Sequence, residues 1–367
     1  YQKTTNSKMK IGILTFHTAI NYGAVLQCFA LSQTLQLLGH EVEVIDYRPR
    51  YIKRQYGMWP SKHNGLKTWA KSLVLNIILA KNKIARLQKF KNFLVRLPLS
   101  KSTFKSSINL DNIYDVIIFG SDQIWNPLIS DGKDLVFTGN FSHNGTKLIS
   151  YGASTNASII NDNYKDYFKE IIERFDAISV RENSLNDYLN LLKRGVSQVV
   201  LDPVLFLNKL EWEKIAITPT YKDYLLIYTV PQSPKVRAHA KIVAEALNLK
   251  IYEITPSVKR NQDCSCVQDC SPEEFVGLFL NASYIVTTSF HGTAFAINFN
   301  KPFTNIRLGT GVDDRAQNLM QATGLENRGI TDEKSRIYEQ SIDYESVNNR
   351  LLTLKNNSID FIKSNLD

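Results

Sequence analysis

The chain has no uncharged apolar run of about 18 residues, so no membrane-spanning helix is expected. Cysteine is scarce, four in 367 residues. That is too few for a disulfide framework and points to a reducing, cytoplasmic setting. The first residues, YQKTTNSK, lack the apolar core of a secretory signal, and Met9 directly precedes the first strand, so residues 1–8 are expected to stand outside the native chain. The loop after that strand, FHTAINYG, has a single glycine at its end, so the glycine fingerprint of a dinucleotide site is missing. Acidic residues are missing from 47–110, which holds fifteen Lys and Arg. Elsewhere 29 basic residues face 35 acidic ones, so one segment makes the protein basic. Such a local surplus gives no ground for nucleic-acid binding.

What is present is α/β. Lys10 to Thr15 reads as a strand, Gly23 opens an amphipathic helix that Gly39 ends, and Val42 to Ile45 reads as a second strand. Asn21, Tyr22 and Gly23 lie where a strand end meets a helix start, a place where such sheets bind ligands. Tyr114 to Phe119 is a buried strand that runs into GSDQIWNP. Ser121, Asp122 and Gln123 then stand at its carboxyl end. Asp122 suits a general base or a sugar ligand, or a cap; Trp125 suits a sugar-stacking platform or a core anchor. Arg181 follows the strand Ala177 to Val180. It would offer a planar donor fork to phosphate or carboxylate, or pair with Glu182 or another acid.

The richest stretch is SYIVTTSFHGTAFAINF, residues 283–299. Tyr284 to Thr287 reads as a buried strand and Gly292 to Phe299 as a tightly packed helix. Thr288, Ser289 and Phe290 break the strand, and Gly292 and Thr293 open the helix. A hydroxyl cap, backbone N–H groups and the helix dipole converge there as an anion site. His291 sits on it, placed to hold a proton for transfer.

The domain expectation is a first domain over 9–206 with a basic helical insertion at 47–110 and a linker at 207–223. A second domain follows over 224–342, with a closing helix at 343–367. Within the insertion, 68–97 reads as one or two amphipathic helices carrying Lys81, Lys83, Lys89 and Lys91. Such helices suit an anionic membrane surface or a lipid-phosphate headgroup, or form a solvated crossover. Cys264, Cys266 and Cys270 could bind zinc with Cys28, Asp269 or water. Their spacing matches no common zinc signature, and no metal is expected.

Taken together, NYGAVLQ (21–27), GSDQIWNP (120–127), SVRE (179–182), LDPVLF (201–206) and TTSFHGTAFAINFNKPF (287–303) resemble the polysaccharide pyruvyl transferase family. The resemblance runs from residue 9 to about 330. It implies two Rossmann-like domains facing across a cleft, similar to GT-B glycosyltransferases. It also implies transfer from phosphoenolpyruvate to two hydroxyls of a sugar, giving a pyruvate ketal and phosphate, with no cofactor. Family acceptors are usually lipid-linked or polymer-bound hexoses of capsule, exopolysaccharide or cell wall. The protein is thus expected in the cytoplasm or at the inner membrane face. His291 and Asp122 are the expected catalytic pair. Donor binding falls to Arg181, Ser289, Gly292, Thr293 and Arg315, and acceptor binding to Asn21, Tyr22, Gly23, Ser121, Gln123 and Trp125. Many members carry an Arg two residues before the histidine; here Ser289 stands there, and Lys301, Arg307 and Arg315 are the nearest substitutes. The competing readings are a GT-B glycosyltransferase using a nucleotide sugar and a non-catalytic polysaccharide-assembly protein.

Overall fold

The structure is a computed structural model that describes residues 8–55, 80–130, 132–255, 264–309, 311 and 313–366. The chain forms two compact units. One is Tyr1–Ile52, Leu94–Leu207 and Asn348–Asp367; the other is Lys53–Phe93 and Asn208–Val347.

The first unit is built on β1 (Lys10–Leu14), β2 (Glu41–Tyr47), β3 (Leu99–Phe104), β4 (Val116–Phe119), β5 (Lys147–Ala153), β6 (Ala177–Val180) and β7 (Ser197–Val199). The second holds β8 (Tyr224–Tyr228), β9 (Lys250–Ile254), β10 (Ser265–Val267), β11 (Tyr284–Thr287), β12 (Phe303–Ile306) and β13 (Gly329–Ile330). In chain order the helices are α1 (Tyr22–Leu37), α2 (Arg50–Gln55), α3 (80–93), α4 (Lys165–Arg174), α5 (Asn183–Leu192) and α6 (Lys209–Glu213). They continue with α7 (Pro234–Leu247), α8 (Pro272–Asn281), α9 (Phe290–Asn298), α10 (Asp314–Thr323) and α11 (Tyr344–Leu366).

The strand orders are β3-β2-β1-β4-β5-β6-β7 and β10-β9-β8-β11-β12-β13. All the pairings are parallel. Each sheet thus grows outward one way through three strands, then restarts beside its first strand and grows the other way. This is the doubly wound Rossmann order, and it meets the expectation of two such domains. The reversal falls between β1 and β4 in one unit and between β8 and β11 in the other. Central strands of such sheets are covered on both faces, which is why VIIF of β4 and YIVT of β11 are continuous buried runs rather than alternating ones. In the second unit, Val236 and Ala240 of α7 pack with Leu225, Ile227, Tyr284 and Val286 on one face. Phe275 and Phe279 of α8 meet Tyr228 and Phe295 of α9 on the other.

Within the expected insertion, the described residues 80–93 group with the second unit and 94–110 with the first. Lys89 of α3 shows why, with its ammonium 2.9 Å from Glu274 and 3.4 Å from Asp269. The end of α11 returns to the first unit, where Ser358 Oγ accepts from Leu201 N at 3.0 Å and Phe361 packs near Tyr151. The part of the expected amphipathic segment at 68–79 lies outside the described residues. β3 lies inside the acid-free segment, as a largely exposed edge strand carrying Lys101.

Candidate active site

The sequence motifs gather at the carboxyl ends of the strands beside each reversal. In the first unit, Asn21 caps α1, its side chain accepting from Ala24 N. The helix therefore opens at Tyr22, not Gly23, and Tyr22 and Gly23 are buried in its first turn. Gln27, one turn on, donates to Thr15 Oγ1 at 2.9 Å and accepts from Ser121 N at 2.9 Å. Thr15 Oγ1 in turn donates to Ser121 O at 2.8 Å. The NYGAVLQ and GSD motifs are thereby tied across the β1–β4 reversal.

Ser121 is fully buried, and its Oγ donates to Gly152 O at 2.9 Å. It belongs to this brace rather than to an acceptor site. Gly120 precedes it at φ +110, where a Cβ would stand 2.5 Å from Tyr151 O, so only glycine fits. Asp122 follows at φ +89, a sparsely populated region for a residue with a side chain. Gln123 is half-buried and accepts from Asn126 Nδ2.

Trp125 is completely buried, its indole N–H donating to Phe137 O at 3.1 Å and its ring edge-on to Phe175. A ring with no exposed face cannot stack on a sugar, and the acceptor-platform expectation is corrected to a core anchor.

Arg181 also departs from expectation. Its side chain is 1% exposed and ion-paired with Asp202, and it stands 3.4 Å from Asp122. Burial works against its charge, but the carboxylates of Asp202, Asp122 and Glu182 more than offset that and hold the guanidinium more firmly protonated than usual. The open fork expected for a donor is thus engaged by acids of the protein itself. Gly152 makes this possible: a Cβ there would lie 3.1 Å from Ser121 Oγ and 3.3 Å from Arg181 Cγ. Three motifs, GSD, SVRE and LDP, therefore converge on one triad. One cation against two carboxylates leaves a net negative charge. Asp122, whose side chain is 15% exposed, is the member that reaches solvent.

One cluster escaped sequence reading. His17 is fully buried, Nε2 lying 3.0 Å from Asp46 Oδ1 and Nδ1 3.2 Å from Thr15 O. Asp46 also accepts from Arg48 Nε at 2.6 Å and Thr103 Oγ1 at 2.7 Å. Burial alone would raise this carboxyl, but the hydrogen bonds from His17, Arg48 and Thr103 outweigh it and hold it well below the ordinary carboxylate range. A polar residue just past β1 and another near the end of β2 were the only available signal.

In the second unit, Thr287 ends β11 and Ser289 caps α9, with Ser289 Oγ accepting from Gly292 N at 3.5 Å. The helix begins at Phe290, two residues before the expected Gly292. Gly292 packs against the strand so closely that a Cβ would fall 2.2 Å from Thr287 Oγ1. Thr293 N and Oγ1 both donate to Ser289 O, and Asn305 Nδ2 donates to Thr293 Oγ1 at 2.9 Å. The Thr293 amide thus belongs to the helix and is not a ligand donor. His291 is the second helical residue, 8% exposed, its ring edge-on to Phe290. Arg315, in the first turn of α10, lies over the Phe290 ring at 5.9 Å. Arg307 follows β12, and its side chain makes no hydrogen bond to any described residue. Thr287 pairs in register with Asn305, which sets Ser289 and Arg307 just beyond neighbouring strand ends. Lys301 sits at the opposite end of β12, away from His291.

The likeness to solved structures is distant. UDP-GlcNAc 2-epimerase from Neisseria meningitidis has 11% identity and a TM-score of 0.48, over 97% of this chain and 93% of that one. The Rickettsia bellii UDP-N-acetylglucosamine 2-epimerase has 13% identity and a TM-score of 0.47, over 98% and 97%. The glycosyltransferase SnogD from Streptomyces nogalater has 10% identity and a TM-score of 0.45, over 97% and 96%. No curated protein matches the sequence. The polysaccharide pyruvyl transferase family matches residues 21–309, most of the chain and every motif that builds the two strand-end clusters, and the chain belongs to that family.

Proposed function

We propose that this protein transfers the pyruvyl group of phosphoenolpyruvate to two hydroxyls of a sugar in a surface polysaccharide or its lipid-linked precursor, releasing phosphate. The observation that carries the reading is His291 at the capped start of α9, beside the carboxyl end of β12 that Arg307 follows.

The chemistry asks for three things. A proton must reach the methylene carbon, which leaves the neighbouring carbon electrophilic. A sugar hydroxyl adds there, phosphate departs, and the second hydroxyl closes the ketal. Donors must hold a carboxylate and a phosphate, and a base must take protons from the hydroxyls. His291 is assigned the proton transfer. The helix start at Ser289 and Gly292, with Arg307 and Arg315, is assigned the donor's anionic groups, the two arginines standing in for the arginine absent at position 289.

Asp122 is assigned the base role. Its surroundings are net negative, which suits a neutral hydroxyl and disfavours a phosphate ester. Arg181 acts through Asp122 as a positioning residue. Asn21 and Gln123 are the remaining acceptor candidates.

A lipid-linked acceptor would place the work at an anionic membrane face. The exposed Lys81 and Lys91 of α3 support that, whereas Lys89 is held by Glu274 and Asp269. No described helix is long and apolar enough to cross a membrane.

The test incubates the protein with phosphoenolpyruvate and lipid-linked galactose or mannose acceptors and follows phosphate release. Acceptor-dependent release is expected, as is a rise in melting temperature with phosphoenolpyruvate that inorganic phosphate competes away. Thermal stabilisation by a nucleotide sugar and none by millimolar phosphoenolpyruvate would replace this reading with a glycosyltransferase.

A further inference from the structure

We propose that Cys264, Cys266 and Glu253 form a site for a thiophilic divalent cation, zinc in the first instance, on the β9–β10 edge of the second sheet. Their ligand atoms all lie within 4.8 Å of one another.

The sheet dictates the grouping. β10 pairs in parallel with β9 so that Cys266 stands directly opposite Glu253. Paired residues on adjacent strands share a face, and Cys264, just before β10, comes to the same place, its thiol 3.9 Å from Glu253 Oε2. The spacing C-x-C, uninformative by itself, thus becomes two thiols on one side of an edge strand with a carboxylate beside them. Cys270 takes no part; it is buried, its thiol 3.4 Å from Ser271 O. Cys28 lies in α1 of the other unit.

The electrostatics fit a dication. Glu253 is 2% exposed, and a carboxylate so buried needs a partner. Arg237 supplies one, but both Nε and Nη2 reach the same oxygen, Oε2, at 2.9 and 2.7 Å. Oε1 takes no hydrogen bond from any described residue. A metal binds cysteine as thiolate. Two thiolates and the carboxylate carry three negative charges, and Arg237 with one divalent ion returns three positive ones. The bound site is neutral, as is the empty one with its thiols protonated. Two sulfurs and one oxygen suit zinc, and water completes the tetrahedron.

The site is separate from the pyruvyl-transfer residues. Glu253 pairs in register with Ile227, which packs under α7, whereas α9 and His291 lie on the other face of the sheet. Its effect would be structural: a clip that fastens a three-residue edge strand to its neighbour.

The experiment titrates Co2+ and then Zn2+ into the reduced, chelator-treated full chain. A single equivalent of Co2+ is expected to give a thiolate-to-metal charge-transfer band that Zn2+ abolishes. Cys264→Ser with Cys266→Ser should lose the band and Cys270→Ser should keep it. In the unmutated protein, Zn2+ should shield Cys264 and Cys266 from alkylation, mapped by mass spectrometry, which keeps the test independent of how the variants fold. The proposal falls if the unmutated protein shows no band, if the double variant keeps it, or if Zn2+ leaves both thiols as reactive as before.

Discussion

The Arg181 guanidinium stands 3.4 Å from the Asp122 carboxylate and pairs on its other side with Asp202, so GSD, SVRE and LDP meet in one buried ionic group. The residue expected to grip a donor is instead held by two carboxylates of the chain itself. Removing it should therefore unfold before it unbinds. Arg181→Ala leaves Asp202 charged and buried, and a loss of about 3–5 kcal/mol is expected in urea unfolding. Asp122→Asn should cost far less stability yet lower turnover by roughly 100-fold. If Arg181→Ala matches the parent in stability and loses only phosphoenolpyruvate affinity, Arg181 is a donor ligand after all.

His291→Ala should lower turnover by ~100-fold or more with the donor-induced melting shift largely retained, because the helix cap and its donors remain. Near-full turnover in the phosphate-release assay would remove His291 from the proton transfer. Arg307→Ala should do the reverse, raising KM for phosphoenolpyruvate more than it lowers kcat.

Asp46 gives an acid-dependent contribution to stability. Its folded carboxyl titrates below the unfolded one, so its contribution is complete above the ordinary carboxylate value of about 3.9 and fades as pH falls below it. Asp46→Asn should be clearly less stable than the parent at neutral pH. That gap should shrink as pH falls through and below the carboxylate range. A gap in urea midpoint that stays constant down to acid pH would show that Asp46 acts by shape alone.

The basic helix predicts salt-sensitive membrane binding. Each basic residue near an anionic surface contributes roughly 1 kcal/mol, and salt screens it. Co-sedimentation with anionic vesicles at low salt and release at high salt are expected. Gln at Lys81, Lys83 and Lys91 should weaken binding without loss of activity on a soluble acceptor. Lys89→Gln should instead lower stability, since Lys89 is paired. A parent protein that ignores such vesicles at low salt would make α3 a solvated crossover.

The sequence by itself determined the elements and the motifs. Buried β-branched runs such as Tyr284–Thr287 fit only a covered parallel strand, and SFHG carries its own cap and close-packing glycine, so β11 appears where expected and α9 only two residues early. Strands β10 and β13, of three and two residues, had no such signal, because their pairing comes from a neighbour already in place. What each polar side chain does was decided by tertiary structure. Trp125 and Ser121 became internal, Arg181 met two aspartates across Gly152, and His17 met Asp46 from the next strand. Residues far apart in the chain settle these partnerships. An arginine after a strand reads the same whether it faces a ligand or an acid; burial and the charge across from it make the choice.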